Sequence, residues 1–321
     1  MTKKLLLTAL FVCMAVLGAE AQKNVSYSSG TIKGNGNIVT QDYEVTGTLR
    51  EIQTLLPQAT INYMVSDKCS CKVRLDENLF EYLDIRWDDD VLRFFLGNEN
   101  NGNNNYVPTE FVIDLSAPRL EVISTIGSCN FNMLSAMNGD DFDVNLVGSG
   151  DVVFKNEINM RQMDLNIVGS GDVVFEKNAR VDDLRVTISG SGDFLCKHLV
   201  SKKMRGTIAG SGEAGIEAGE VEKMVAKVAG SGSFESHADV NRLDAQVSGS
   251  GDITAKVNGE LIFSITGSGH INYYGDAGVK GVLLGSDKLR KLDADGKWLK
   301  GEVYSNSRDK SQKTNNNTKR E

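Results

Sequence analysis

The chain has 321 residues, with 35 Lys and Arg against 43 Asp and Glu, for a formal net charge of −8 at pH 7. This acidic balance argues against nucleic acid and anionic lipid as partners, since both carry the same sign of charge. After the first apolar run, no stretch reaches the roughly eighteen consecutive apolar residues that a spanning helix needs, so no transmembrane segment is expected in the mature chain.

The N-terminus, "MTKKLLLTALFVCMAVLGAEAQ", places Lys3 and Lys4 before an apolar run from Leu5 to Leu17 and small residues at Ala19 and Ala21. That order predicts a signal peptide over residues 1–21, with the mature chain starting at Gln22. Removing Lys3, Lys4 and Glu20 takes the charge from −8 to −9. Val12 stands before Cys13, where a lipid-modified cysteine needs a small residue, so no anchor is expected. The predicted location is the periplasm, the outer cell surface or the extracellular space. Cys69, Cys71, Cys129 and Cys196 remain after cleavage. In a strand Cys69 and Cys71 would sit about 6.8 Å apart, at the outer limit for bridging, and no C-x-x-C exists. Small buried thiols are expected, not a disulfide framework.

Residues 22–119 alternate strand-like runs ("TINYMV", "VLRFFL", "EFVIDL") with a short helical turn at "DENLFEYL" and an asparagine loop at "NENNGNNN". This is a β-rich N-terminal segment leading into a repeat near Leu120. From there the motif Gly-Ser-Gly or a close variant begins at Gly127, Gly148, Gly169, Gly190, Gly210, Gly230, Gly249, Gly267 and Gly285, in steps of 21, 21, 21, 20, 20, 19, 18 and 18. Periods near twenty indicate a solenoid. Before each motif the chain alternates: Phe142, Val144 and Leu146, Met163, Leu165 and Ile167, and Leu184, Val186 and Ile188 are apolar, while Asn145, Asn166 and Thr187 between them are polar. That is a strand with one buried face. A second strand follows each motif at Val152 and Phe154, Val173 and Phe175, and Phe194 and Cys196.

Stacked at about 4.8 Å, such coils join their apolar faces into one core, and like residues lie above like. A meander of hairpins would satisfy the same alternation, but it would not explain why Gly, Ser and Gly recur column by column. The expected fold is all-β, a right-handed, β-helix-like solenoid of GSG coils over residues 120–304. Trp298 and Leu299 would cover its last edge, and a disordered polar tail would follow over 305–321.

The motifs "GNGNIVTQDYEVTG" (34–47), "LDENLFEYL" (75–83), "FVIDLSAPRLEVIS" (111–124) and the GSG turns resemble the head GIN domain family of auto-transporter adhesins. The resemblance implies a right-handed β-helix-like superhelix in which GSG marks a tight turn, an adhesion role, and no catalytic residues.

The residue after the corner is Asp151, Asp172, Asp193, Glu213, Ser233, Asp252 and then His270. A column of carboxylates at about 4.8 Å would raise its own pKa values. It could hold calcium, or supply the carboxylate pair, about 5 Å apart, of a retaining glycosidase. The plainer reading, preferred here, is that these side chains satisfy turn amides. "GSGEAG" at 210–215 matches a dinucleotide pattern by accident, because its neighbours read "GSGDVV" and "GSGSFE". His198, His237 and His270 show no metal spacing and are expected at loops and turns. Neither a cofactor nor a metal is expected.

The GSG corner is constant, whereas the connection opposite it shrinks from eight residues (155–162 and 176–183) to five (256–260). Variable connections are where solenoids place recognition. Lys155, Asn156, Glu157, Arg161, Glu176, Lys177, Arg180 and Asp183 are therefore the candidate ligand contacts, and a host or cell-surface glycan or protein is the candidate partner. Val153, Val174 and Leu195 form an outward apolar stripe that the N-terminal segment is expected to cover, the alternative being a partner surface. The leading expectation is an exported, non-enzymatic solenoid acting in adhesion, surface binding or envelope structure. The alternative is a carbohydrate-active enzyme of pectin-lyase-like type.

Overall fold

A computed structural model describes residues 30–45, 48–97, 105–283, 288–293 and 299. The expected signal peptide, most of the asparagine loop, the Gly285 corner, Trp298 and the polar tail lie outside the described residues.

The chain forms a β-solenoid whose coils stack in parallel and in register. Gly127 lies beside Gly148, Gly148 beside Gly169, and so on through Gly190, Gly210, Gly230, Gly249 and Gly267. Parallel pairing rules out the hairpin meander. The residues two, four and six before the corner point inward, and Phe142, Val144, Leu146, Met163, Leu165 and Ile167 are each at most 1% exposed. Asn145 and Asn166 point outward, where the Asn166 amide donates to Asn145 Oδ1 (3.2 Å).

Between the Gly127 and Gly267 corners each coil has three strand stretches, one more than the repeat predicts. In the coil that follows the Gly148 corner, the stretches are Val152–Phe154 and the two halves of Ile158–Gly169, which bends at Arg161. The connection opposite the GSG corner is therefore a strand flanked by two bends, not a loop. Ile158 pairs with Ala179, Asn159 with Arg180 and Met160 with Val181, and then Ala179 pairs with Leu199 and Arg180 with Val200. Ile158, Met160, Ala179 and Val181 are buried, so this third stretch closes the core on its remaining side.

Two requirements keep glycine at the corner. Gly148 has a φ of +128°, which an L side chain rarely adopts. Two residues on, a Cβ on Gly150 would lie 2.1 Å from the Cys129 carbonyl oxygen of the coil below. The close approach is used: the N–H groups of Ser170 and Gly171 both donate to the Gly148 carbonyl, at 2.8 and 3.1 Å. Inside, Phe142, Phe154, Phe175 and Phe194 run edge to face with centroids 5.0 to 5.8 Å apart. Each such pair adds about 0.5–1.5 kcal/mol beyond area burial.

The N-terminal strands belong to the same stack. Glu51–Leu56 pairs in parallel with Val122–Gly127, and Thr60–Val65 pairs with Asn130–Met133, so residues 51–65 form a coil of their own. Its corner is Leu56, Pro57 and Gln58, with Gln58 at φ +45°. The next layer out comes from later in the chain. Val91–Leu96 lies on Glu51–Leu56, and Phe111–Ala117 lies on Thr60–Val65. The chain thus builds its second coil before its first. Antiparallel strands Leu83–Asp88, Ser70–Asp76 and Ile38–Tyr43 then finish this end. "DENLFEYL" contains a 3-10 helix over Glu77–Tyr82.

Asp76 ties these pieces together. Its side chain is fully buried and accepts the N–H groups of Gly36 (2.8 Å) and Thr109 (2.7 Å). Burial alone would raise its pKa, but backbone N–H bonds from Thr109, Gly36 and Glu110 outweigh it and hold the carboxyl below the usual range.

Candidate functional site

Three surfaces carry enough chemistry to be considered: the GSG corner, an apolar band beside it, and the third face.

At the corner, the four aspartates each accept the backbone N–H of their counterpart one coil on, whereas beside Glu213 the Ser233 N–H goes to the Gly212 carbonyl (3.2 Å). Asp151 Oδ1 takes the Asp172 N–H (3.1 Å), Asp172 that of Asp193 (2.9 Å), Asp193 that of Glu213 (2.8 Å) and Asp252 that of His270 (2.8 Å). Asn130 begins the series, its Oδ1 accepting the Asp151 N–H (3.0 Å). An amide thus does the same job without charge. Partial burial raises the pKa of Asp172, and the flanking Asp193 and Asp151 add to the shift against the hydrogen bond from Asp193. Among the described residues, no group of three or more His, Cys, Asp or Glu side chains could hold a metal ion. The corner serines, from Ser149 to Ser268, are an exposed column of identical hydroxyls.

The apolar stripe of Val153, Val174 and Leu195 is not covered by the N-terminal strands, which extend the stack at its end and do not fold across its side. Leu195 is 45% exposed. A second band was missed in the sequence. Phe95, Leu55, Ile126, Val147 and Val168 are register neighbours just before the corner, with Leu55, Ile126 and Val168 exposed. The signal was available, since the residue before successive GSG motifs is Ile126, Val147 and Val168 before it turns small or polar.

The third face divides the candidate contacts. Lys155, Asn156, Glu157, Glu176 and Lys177 lie at the bend that enters it, Arg180 lies on it, and Arg161 and Asp183 lie at the bend that leaves it. They do not form one strip. Most are engaged: Lys155 with Glu176 (3.8 Å), Arg161 with Asp141, and Asp183 with Arg205 (2.6 Å). The Asn156 amide donates to the Leu134 carbonyl, and Glu157 accepts from the Asn178 amide at 3.4 Å.

The outward column of this face runs Asn138, Asn159, Arg180, Val200, Glu220 and Asp239. Two concavities open on it. One, of about 430 Å³, is bounded by Asn138, Glu157, Asn159, Asn178, Arg180 and His198. The other, of about 350 Å³, lies across Arg180 and Val200 toward Lys202, Glu220, Glu222 and Asp239. His198 and His237 lie within the strands Phe194–Gly210 and Ser233–Gly249, not in loops. Only His270 sits at a turn, with its Nδ1 3.1 Å from Asp252. Asn138 and Asn159 were not singled out in the sequence, and His198 was placed at a loop, because the connection reads as a loop until its alternation of Ile158, Met160, Ala179 and Val181 is noticed.

Fold and surface together define a GSG-cornered β-solenoid whose corner aspartates are occupied by backbone amides and whose chemical variety is gathered on one face. The chain belongs to the family described as "Putative auto-transporter adhesin, head GIN domain", which matches residues 48–218 and 164–277. It is similar in structure to a "putative adhesin" of Parabacteroides distasonis ATCC 8503, at 23% identity and a TM-score of 0.63, covering 82% of this chain and 100% of that one. A "putative adhesin" of Parabacteroides merdae ATCC 43184 aligns at 22% identity and TM-score 0.59, over 83% of this chain and 100% of that one. A "Putative lipid binding protein" of Parabacteroides distasonis ATCC 8503 aligns at 23% identity and TM-score 0.59, over 82% and 99%. At these identities the likeness is one of fold. No curated protein matches the sequence. Among the described residues, no helix is long and apolar enough to cross a membrane.

Proposed function

We propose that this protein is exported and acts as a non-enzymatic adhesin module that recognises a cell-surface glycan or protein through its third face. The observation that carries this reading is a contrast between two columns of one stack. At the corner the exposed residue is serine from coil to coil, because close packing allows only one backbone shape there. On the third face the equivalent position changes from amide to guanidinium to apolar to carboxylate, and the surface hollows on either side of Arg180. A rigid scaffold that varies its side chains on one exposed face is built for recognition. Membership of an adhesin family supports the same reading.

The test is retention of the exported chain on an array of surface glycans and matrix proteins, with two double variants alongside. Replacing Asn159 and Asn178 by Ala should lower retention on whatever the wild type binds. Replacing Ser170 and Ser191 by Ala at the corner should leave it unchanged. Retention that survives the first pair, or an array on which nothing is retained, would overturn the assignment to this face.

A further inference from the structure

The 430 Å³ groove beside Arg180 holds polar groups that are short of partners. The Arg180 side chain is exposed and makes no ion pair or hydrogen bond among the described residues. Of the nearby cations, Lys155 pairs with Glu176, Lys202 with Asp182 and Arg205 with Asp183, and among the described residues Arg180 is the one Lys or Arg that lines this groove. Asn138 and Asn159 precede Arg180 in the same column, each one coil apart, so two amides and a guanidinium line the groove at intervals of about 4.8 Å.

We infer that this groove binds a carboxylate-bearing sugar, with the carboxylate on the Arg180 guanidinium and the hydroxyls on the amides of Asn138 and Asn159. The inference deepens the third-face reading and rests on it. Guanidinium matches carboxylate in a planar, two-bond geometry. Amides both donate and accept, which is what a run of hydroxyls requires. Charge sets the direction. Glu157 stands at the bend side, bound by Asn178, and beyond Val200 lie Glu220, Glu222 and Asp239. A carboxylate is therefore repelled from both flanks and confined to Arg180, with the body of the sugar lying back over Asn159 and Asn138.

The experiment is calorimetric titration of the exported chain with trigalacturonate and with its methyl ester, and separately with sialyllactose and with its methyl ester. Each pair keeps most hydroxyls and differs in the carboxylate. At least one acid should bind about tenfold or more tightly than its neutral partner, the size expected for a charge-assisted pair. Whether the uronate or the sialate does so identifies the source. Arg180→Gln should abolish the preference while leaving thermal unfolding unchanged, since Arg180 is exposed. Equal binding of acid and neutral sugar, a preference that persists in Arg180→Gln, or no binding of either acid would overturn the inference. The array in the preceding section fails or succeeds independently. Third-face retention on it with no acid preference here sinks the carboxylate site alone.

Discussion

Replacing Gly171 by Ala tests whether close approach between coils explains the repeated glycine. A Cβ at this position would lie 2.0 Å from the Gly150 carbonyl oxygen, where about 3.0 Å is the least that real Cβ atoms show. The corner must therefore open by about 1 Å in the middle of the stack. Two hydrogen bonds are at risk, Ser170 N–H and Gly171 N–H to the Gly148 carbonyl. Overpacking costs about 1–3 kcal/mol, and each weakened bond costs about 1 kcal/mol more, for an expected loss of about 3–5 kcal/mol. Gly169→Ala should lose at least as much, because φ there is +121° and a side chain in that region adds about 1–2 kcal/mol. Ser170→Ala, between the two, removes only an exposed hydroxyl and should stay within about 0.5 kcal/mol of wild type. Equilibrium urea unfolding followed by circular dichroism reads all three. A Gly171→Ala protein within about 1 kcal/mol of wild type would refute the close-approach argument, as would a Ser170→Ala loss equal to that of the glycine variants.

Two further outcomes follow from the carboxylates. Asp76→Asn should cost about 2–3 kcal/mol near neutral pH, because one of the two buried N–H donors then faces an NH2 group. The folded pKa of Asp76 lies below the unfolded value of about 3.9, so its contribution is full above that pH and is lost as pH falls through the folded pKa. The gap between wild type and Asp76→Asn should therefore be steady at about pH 5–8 and close in acid; a gap that does not change with pH would contradict the assignment. Asp172→Asn should instead leave melting temperature at pH 7 equal or higher. The raised pKa of Asp172 means its ionised form disfavours folding above that pKa, and the Asn130 amide shows that the hydrogen bond needs no charge. EDTA should leave the melting temperature unchanged, and a large drop would make the Asp151, Asp172 and Asp193 column a calcium site after all.

The amino-acid sequence by itself determined the solenoid, its register and the role of its corner. These depend on residues near one another in the chain: a period-two alternation ending in a turn that only glycine can make, repeated at steps short enough for each coil to meet the next. It also determined which side of each strand is buried, since a shift of one residue would expose Leu146 and Ile167 and bury Asn145 and Asn166. The tertiary structure alone decided three things. The connection at 155–162 reads as a loop because bends bracket it, and only the pairing of 158–160 with 179–181, and of 179–180 in turn with 199–200, makes it a face of the core. The coil at 51–65 carries no GSG, so its place in the stack follows from partners some seventy residues on, such as Thr54 bonded to Thr125 across 71 positions (3.0 Å). Asp76 looks like any acid at the start of a helical turn until Gly36 and Thr109, 40 and 33 residues away, bring their N–H groups to it. Local pattern specifies a repeat because each copy meets one like itself, whereas the first coils and the Asp76 knot depend on distant segments that share no pattern, and the third face rests on an alternation too short to stand out until its neighbours pair with it.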